Sequence, residues 1–192
     1  MSDEKIVTKN MGYMLLSFLA PVALIVVGMF LTVKLDNQSV GSVVSILLFA
    51  AAVGWWSYGS PAILKKSGKK LEKLMDEQGL NRNMTFNGKN AIVIVDVVHG
   101  KLGLTYRWNP MKQYIIPASR VEKAWVDDGK SGKGITEGSA RVGFLFTVDG
   151  VTNRVDTFVS NQRFKMTDNR ILTGISKADS VVEAINAAKA AN

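Results

Sequence analysis

Two long apolar runs without a charged side chain lie near the N-terminus, and they restrict the fold more than any other feature of the sequence. The first run covers residues 11–33 and the second covers residues 37–64. At a rise of about 1.5 Å per residue, a helix of either length crosses the hydrocarbon core of a bilayer, which is about 30 Å thick. A short polar connector separates the two runs. We therefore predict a transmembrane helical hairpin over residues 11–64.

The lysines around these runs predict the orientation of the hairpin. Lys5 and Lys9 precede the first run, the connector carries only Lys34, and a lysine cluster follows the second run. By the positive-inside rule, this distribution places both termini in the cytoplasm, with residues 1–10 as a cytoplasmic tail. A cleaved signal peptide is the alternative for the first run. The apolar core of a signal peptide has about 7–15 residues, so the greater length of this run favours a membrane helix.

The composition of the hairpin indicates an anchor, with the lipid bilayer as its first partner. Neither run contains an acidic, basic or histidine side chain, so the hairpin lacks the intramembrane charges that transport pathways use. Ala50 and Gly54 form a pair of small residues that favours close helix packing or a homo-oligomer. A chance pairing within an alanine-rich stretch is the alternative explanation for these two residues.

Residues 65–80 predict a basic amphipathic connector that leaves the membrane as a short helix. Leu71, Leu74 and Met75 share one face of this helix, and Gly79 is a typical helix end. Five lysines follow the second run directly, and such clusters are typical of contacts with anionic lipids. Charges that only fix the topology are the alternative. We take these lysines as candidate lipid or partner contacts: Lys65, Lys66, Lys69, Lys70 and Lys73.

The apolar pattern changes from a helical period to a strand period near residue 81, which predicts a separate domain over residues 81–192. Asp149 and Gly150 lie between two alternating segments and predict a type I′ hairpin, whereas Asn109-Pro110 interrupts the pattern. Ser176 and Asp179 predict a capping box at the start of a C-terminal helix. The predicted fold class is therefore α+β and mainly antiparallel, with strands over residues 91–98, 101–107, 114–116, 121–126, 142–148 and 151–159.

The sequence contains no recognisable catalytic constellation. It has no cysteine and a single histidine, His99, which excludes disulfides, thiolate metal sites and a cysteine nucleophile. We predict no catalytic, cofactor-binding or metal-binding residue, and we expect no cofactor. The acids considered for catalysis are scattered along separate strands: Asp96, Glu122, Asp149 and Asp156.

A glycine-rich loop over residues 128–139 invites comparison with a phosphate-binding loop. Gly129 and Gly134 have the spacing of that motif, but the lysine that the motif requires after its second glycine is absent. A flexible hairpin loop is therefore the main interpretation. Lys130 and Lys133 within it are candidate contacts with lipid headgroups or a protein partner. No RNA-binding motif accompanies the basic and aromatic residues, so we expect no nucleic acid partner.

Four local patterns accompany the order of strands followed by one helix. They are a strand ending in Asp96, the turn His99-Gly100-Lys101, the segment Tyr114-Ile115-Ile116-Pro117 and the segment Arg120-Val121-Glu122. Over about residues 81–192, this combination resembles the pleckstrin-homology-like (PH-like) fold, in particular the bacterial PH-like domains that are fused to membrane hairpins. The resemblance implies a partly open barrel capped by the C-terminal helix, in a protein of the bacterial inner (plasma) membrane.

These features predict a non-enzymatic membrane protein whose cytoplasmic domain binds a protein partner. The formal net charge is +8, and a basic domain beside a membrane is typical of proteins that meet an acidic partner or an anionic lipid surface. An accessory role in a secretion or conjugation assembly, or in excluding incoming plasmids, fits this prediction. A module that senses anionic lipids is one alternative. An enzyme or enzyme subunit that acts on a membrane substrate is another.

Overall fold

The computed structural model describes residues 5–34, 38–129 and 138–191. The chain begins with two apolar helices, α1 (Met11–Lys34) and α2 (Gln38–Gly54). A π-helical turn, Trp55–Gly59, joins α2 to a third helix, α3 (Ser60–Glu77). The second apolar run therefore does not end in one helix at residue 64, as the sequence suggested. Its last residues open α3, with Pro61 in the first turn, where the missing N–H of proline costs no helix hydrogen bond.

Helices α1 and α2 pack against each other through small and hydroxyl-bearing residues. The Ser45 hydroxyl donates to the carbonyl oxygen of Gly28 at 2.6 Å and also meets the Thr32 hydroxyl. A Cβ atom on Gly41 would lie 3.0 Å from the Cα of Thr32, so the absence of a side chain there permits the close approach. The predicted pair of Ala50 and Gly54 does not make this contact, since a Cβ atom on Gly54 would meet nothing within 4 Å.

The large apolar side chains of α1 and α2 are exposed instead of being packed in a protein core. Within the described ranges, only α1 is both long and apolar enough to cross a membrane, and α2 is apolar but shorter. A helix from the core of a soluble protein would bury such side chains, whereas extended exposed apolar surface marks a contact with lipid or another protein. The side chains that are more than half exposed include Leu15, Leu16, Phe18, Leu19, Phe30, Ile46, Leu47 and Phe49.

Over the described residues, seven antiparallel strands form two sheets, and a long C-terminal helix follows them. The first sheet has the order β1-β2-β3-β4 and the second has the order β5-β6-β7. This arrangement confirms the predicted α+β class. The strands are β1 (Met84–Asn87), β2 (Ala91–Asp96), β3 (Lys101–Tyr106), β4 (Asn109–Pro117), β5 (Val121–Asp127), β6 (Ser139–Val148) and β7 (Val151–Phe164), and the helix is α4 (Asn169–Ala190).

The two sheets meet without a continuous ladder, so no closed barrel forms over the described residues. One link between them is the side chain of Asn90, in the turn between β1 and β2. Its amide donates to the carbonyl oxygen of Arg154 at 2.8 Å, and its oxygen accepts from the N–H of Asp156 at 3.0 Å. These two backbone groups lie on the edge of β7, where no further strand in the described part of the chain pairs with them. The Asn90 side chain provides their hydrogen-bond partners instead.

The core lies between the two sheets and α4. Phe144 and Phe146 on β6 are fully buried and stacked on each other at 6.2 Å, and they meet Ile185 from α4 in the same cluster. Strand β2 is buried along its whole length, in keeping with its run of valine and isoleucine. One face of β2 contributes Val93 and Val95 to this cluster.

Three predicted boundaries differ from the structure. Strand β1 was not expected at all, and β4 already begins at Asn109, so Asn109-Pro110 does not interrupt the sheet.

The prediction of a capping box at Ser176 is wrong, because α4 begins two turns earlier. The N-cap is Asp168, whose carboxylate accepts from the N–H of Arg170 at 2.9 Å. The type I′ hairpin is confirmed by positive φ angles of 50° at Asp149 and 74° at Gly150.

Helix α3 packs on the face of the first sheet that points away from the main core. Leu64, Leu71 and Met75 form a second apolar cluster with Ile92 and Ile94 of β2. The segment predicted as a connector, residues 65–80, therefore lies mostly within α3 and forms a layer of the folded domain. Leu71 and Met75 face the sheet as expected, whereas Leu74 is 36% exposed.

A buried polar cluster fixes α3 above the irregular pairing of β3 and β4. The Ser67 hydroxyl lies 2.6 Å from the Thr105 hydroxyl and donates to the carbonyl oxygen of Pro110 at 2.7 Å. The Gln113 amide donates to the Ser67 oxygen at 2.9 Å. These contacts satisfy polar groups at the point where the register of β3 and β4 shifts.

The N-terminal segment over residues 5–10 is attached to the domain and does not form a free tail. Ile6 is buried in the main core at 6% exposure. Val7 receives a hydrogen bond from the Asn109 amide at its carbonyl oxygen, at 2.7 Å, and its N–H donates to the Tyr114 hydroxyl at 3.1 Å. The Asn10 N–H then donates to the carbonyl oxygen of Trp108 at 2.8 Å.

Candidate binding site

Both connections from the domain to the apolar helices lie at one end of the first sheet. The segment at Asn10 leads into α1 beside Trp108, and Pro61 lies at the start of α3, directly after the π-helical turn. The turns between β1 and β2 and between β3 and β4 form this end of the sheet, and the N–H of Arg107 joins them by donating to the carbonyl oxygen of Asn90 at 2.9 Å. We call this part of the domain the anchor end.

A cavity of about 620 Å³ opens at the anchor end, between the first turns of α3 and the edge of the first sheet. This volume lies within the usual range of small-molecule sites. Apolar residues contributed by α3 and β2 line part of it: Pro61, Leu64 and Ile92. Four cationic side chains and one acidic side chain surround these residues: Lys65, Lys69, Lys89, Arg107 and Glu72.

The four cations come from three separate elements. Lys65 and Lys69 lie one turn apart on α3, both exposed, and neither has an acidic partner among the described residues. The ammonium group of Lys89 donates to the carbonyl oxygen of Val159 at 2.9 Å, which fixes it beside the turn after β1. The guanidinium of Arg107 lies over the Trp108 ring at 5.2 Å from the centroid. An arginine held against a ring in this way presents its charge in a fixed plane.

The single acid of the cavity is already engaged. Glu72 lies 3.7 Å from the guanidinium of Arg82, which also contacts Asp76 at 3.2 Å. Arg82 follows α3 and offsets part of the negative charge on that helix. The cavity therefore keeps an excess of positive charge, and its chemistry suits an anion with an apolar part.

Gly68 brings α3 close to β2 at the floor of this site. A Cβ atom at position 68 would overlap the Cδ1 atom of Ile92. Glycine costs about 1 kcal/mol relative to alanine in a helix interior, but here it permits the helix to lie against the sheet. The contact sets the distance between the lysines of α3 and the cations of the two turns.

The structure brings only part of the predicted lysine cluster into the cavity. Lys65 and Lys69 line it, whereas Lys66 and Lys70 are exposed elsewhere on α3, and Lys73 lies 3.5 Å from Glu77 in a surface ion pair. The remaining candidates, Lys130 and Lys133, lie outside the described residues. Sequence reasoning missed Lys89 and Arg107, because only the turns of the first sheet place them beside α3.

The acids considered for catalysis have structural partners. Asp156 is 3% exposed and bonds to Arg141 through both oxygens at 2.6 Å, and it shares Arg154 with Asp127. Asp149 pairs with Arg120, and Glu122 accepts from the N–H of Gly150 at 2.7 Å. Each carboxylate is thus tied to an arginine or to backbone. In the part of the chain that the structure describes, no three histidine, aspartate or glutamate side chains are grouped to hold a metal.

Asp96 and His99 organise the turn at the opposite end of the first sheet from the cavity. The buried Asp96 carboxylate accepts from the N–H groups of Asn81, Val98 and His99, and it lies 2.6 Å from Nδ1 of His99. Burial raises the pKa of Asp96, but the hydrogen bonds from His99 and Asn81 outweigh this effect and lower it. The side chain of His99 is 45% exposed.

Comparison with protein-family models, with curated proteins and with solved structures found no match for this chain.

Proposed function

We propose that this chain is a non-enzymatic membrane-anchored protein whose PH-like domain is held against the bilayer and binds a ligand at its surface. The observation that carries the proposal is the attachment of both apolar helices to one end of the domain. The N-terminal segment bonds to the domain up to Asn10, and α3 packs on it from Leu64 onward. Helices α1 and α2 therefore leave the domain and return to it at the anchor end.

This arrangement supports a transmembrane hairpin. Exposed apolar side chains cover both helices, and the hydrocarbon core of a bilayer provides the environment that such surfaces require. Tyr58 is 78% exposed in the π-helical turn that follows α2, and Trp108 lies beside the start of α1. Tyrosine and tryptophan favour the interface between hydrocarbon and headgroups. Both positions fit an interface at the anchor end.

The charges next to the helices support a cytoplasmic location for the domain. Four lysines lie on the side of the domain, whereas Lys34 is the lysine at the far end of α1. The four are Lys5, Lys9, Lys65 and Lys66. The positive-inside rule assigns the lysine-rich side to the cytoplasm. We accordingly propose a two-span protein of a bacterial inner membrane with both termini inside the cell.

The architecture of the domain supports the PH-like assignment. Its four-stranded and three-stranded antiparallel sheets enclose one core, and α4 packs across that core after the last strand. The resemblance seen in the sequence places its turn at His99-Gly100, and the structure has a turn between β2 and β3 at that point. The cavity supports a binding role, and the acids considered for catalysis are already tied to structural partners.

A protein partner is the second candidate ligand, and a groove between β7 and α4 favours it. The groove has a volume of about 290 Å³ and is lined by Phe158, Arg170, Gly174 and Lys177, among others. The guanidinium of Arg170 lies 3.7 Å from the centroid of the Phe164 ring and also pairs with Asp168 at 2.8 Å. Lys177, which has no acidic partner among the described residues, therefore supplies the unpaired charge beside these aromatic rings. A protein that belongs to a secretion or conjugation assembly, or to a plasmid-exclusion system, would bind its partner through such a surface. Photo-crosslinking from Lys177 in cells would identify a partner there and would give no product if the groove is unused.

Membrane extraction tests the anchor. The full chain should stay in the membrane pellet after alkaline carbonate treatment, because two apolar helices hold it by the hydrophobic effect and not by charge. Protease added to sealed inverted vesicles should digest the domain. Release of the chain by carbonate, or protection of the domain in inverted vesicles, would contradict the proposal.

A further inference from the structure

We infer that the cavity at the anchor end binds the phosphate headgroup of an anionic phospholipid from the leaflet that the domain faces. This inference rests on the proposed function, because it requires the domain to lie at the bilayer surface. It assigns a ligand class to residues of three elements: Lys65 and Lys69 of α3, Lys89 after β1, and Arg107 after β3.

The chemistry of the cavity matches an amphiphilic anion. Its cations outnumber its single acid, and that acid faces Arg82 at 3.7 Å. Lysine binds phosphate as a point charge, and arginine can offer two parallel N–H donors to phosphate oxygens. Pro61, Leu64 and Ile92 add an apolar part that suits the glycerol and the first methylene groups of a lipid. A free inorganic phosphate would use the cations alone.

The position of the cavity points to a lipid source for that phosphate. Pro61 and Leu64 belong to the first two turns of α3, directly after the π-helical turn that leads from α2. Arg107 is next to Trp108, whose carbonyl oxygen accepts from Asn10 one residue before α1 begins. Both walls of the cavity thus lie beside the points at which the chain passes between the domain and the apolar helices. A headgroup in the leaflet lies at this depth, so the lipid reaches the site without leaving the membrane.

The chain contains a matched control for this inference. Lys65 and Lys69 line the cavity, whereas Lys66 and Lys70 on the same helix turns are also exposed but do not line it. Two double variants, Lys65→Gln with Lys69→Gln and Lys66→Gln with Lys70→Gln, therefore lose the same charge from the same helix. They differ in whether the lost charge faces the cavity. All four side chains are exposed, so both variants should unfold at the same temperature as the parent chain.

The experiment is a titration of the full chain in nonionic detergent, followed by native mass spectrometry. The probes are short-chain phosphatidylglycerol, short-chain phosphatidylcholine and glycerol 3-phosphate. We expect saturable binding of phosphatidylglycerol, with weaker binding of the other two. Each basic residue near a membrane surface adds to the attraction of anionic lipid, so loss of the charges of Lys65 and Lys69 should weaken binding about tenfold or more. The Lys66 and Lys70 variant should bind as the parent does.

Two results would overturn the inference. Equal weakening in both double variants would show that general charge attracts the lipid and that the cavity has no special role. Binding of glycerol 3-phosphate as tight as that of phosphatidylglycerol would assign the site to a soluble phosphate ester. If the chain resists carbonate extraction but does not bind phosphatidylglycerol in these titrations, only the headgroup site is contradicted. If carbonate releases the chain, the proposed membrane anchor is contradicted as well.

Discussion

The backbone N–H of Asn10 donates a hydrogen bond of 2.8 Å to the carbonyl oxygen of Trp108. The same asparagine caps α1, because its side-chain oxygen accepts from the N–H of Tyr13 at 3.0 Å. One residue thus ends the segment that is attached to the domain and begins the apolar helix. The relationship fixes the start of α1 at the domain surface.

The attached N-terminal segment should contribute to the stability of the domain. Ile6 is 6% exposed in the main core, whereas the adjacent Val7 is 46% exposed. Truncation of a buried isoleucine to alanine typically costs about 2–5 kcal/mol. Ile6→Ala should therefore lower the free energy of unfolding by about 2 kcal/mol or more, measured by denaturant titration in detergent. Val7→Ala is the control and should change it little. Equal effects would show that the segment is not part of the core.

The buried cluster under α3 should be sensitive to loss of one hydroxyl group. Ser67→Ala removes the three hydrogen bonds that Ser67 makes with Thr105, Pro110 and Gln113, although Thr105 and Gln113 keep their bonds to backbone carbonyl oxygens of β4. Each lost hydrogen bond costs about 0.5–1.5 kcal/mol, so thermal unfolding should shift to a lower temperature. Ser180→Ala removes an exposed hydroxyl that bonds within α4 and should leave the transition unchanged. No shift for Ser67→Ala would show that water replaces the hydroxyl.

The contact between Gly68 and Ile92 can be tested by a pair of substitutions. Gly68→Ala should destabilise the chain by about 1–3 kcal/mol, because the new methyl group overlaps Cδ1 of Ile92. Ile92→Val removes that atom. In the Ile92→Val background, Gly68→Ala should become neutral or stabilising, since alanine is the better helix residue by about 1 kcal/mol. A double-mutant cycle on denaturant midpoints measures this coupling, and additive effects would contradict the close approach.

Asp96 should make the stability of the domain depend on acidic pH. Its pKa is lowered in the folded chain, so its contribution is present above the unfolded value of about 4 and is lost as the pH falls through the lowered pKa. At neutral pH, Asp96→Asn replaces an acceptor oxygen by a donor and should cost about 1–3 kcal/mol. The difference in unfolding free energy between parent and variant should shrink below about pH 4. A difference that is independent of pH would exclude the ionised carboxylate as its source.

The sequence predicted the elements whose signals are local. The apolar run of α1, the alternation of β6 and the Asp149-Gly150 turn each carry their own pattern. Strand β1 alternates only over Met84–Asn87, which is too short to indicate a strand by itself, and its partner β2 supplies the pairing. The start of α4 was misplaced, since Asp168 caps a first turn that includes Asn169 and Arg170, and these residues do not show the apolar stripe.

The candidate site was only partly visible in the sequence for a different reason. Lysines after an apolar run are a local signal, so Lys65 and Lys69 were recognised. Their separation from Lys66 and Lys70 depends on which face of α3 packs on the sheet. Lys89 and Arg107 join them through the turns of the first sheet, and no spacing in the chain encodes that contact. The attachment of Ile6 and Val7 to β4 is equally long-range.

The most direct test of the membrane hairpin is the accessibility of single cysteines, since the chain has none of its own. Cysteine is introduced at Gln38, at the start of α2, or at Asn161, an exposed position on β7. A maleimide that cannot cross membranes is then applied to intact cells and to permeabilised cells. We predict that Gln38→Cys is labelled in intact cells and that Asn161→Cys is labelled only after permeabilisation. Labelling of Asn161→Cys in intact cells, or protection of Gln38→Cys until permeabilisation, would contradict a hairpin that spans the membrane with the domain inside.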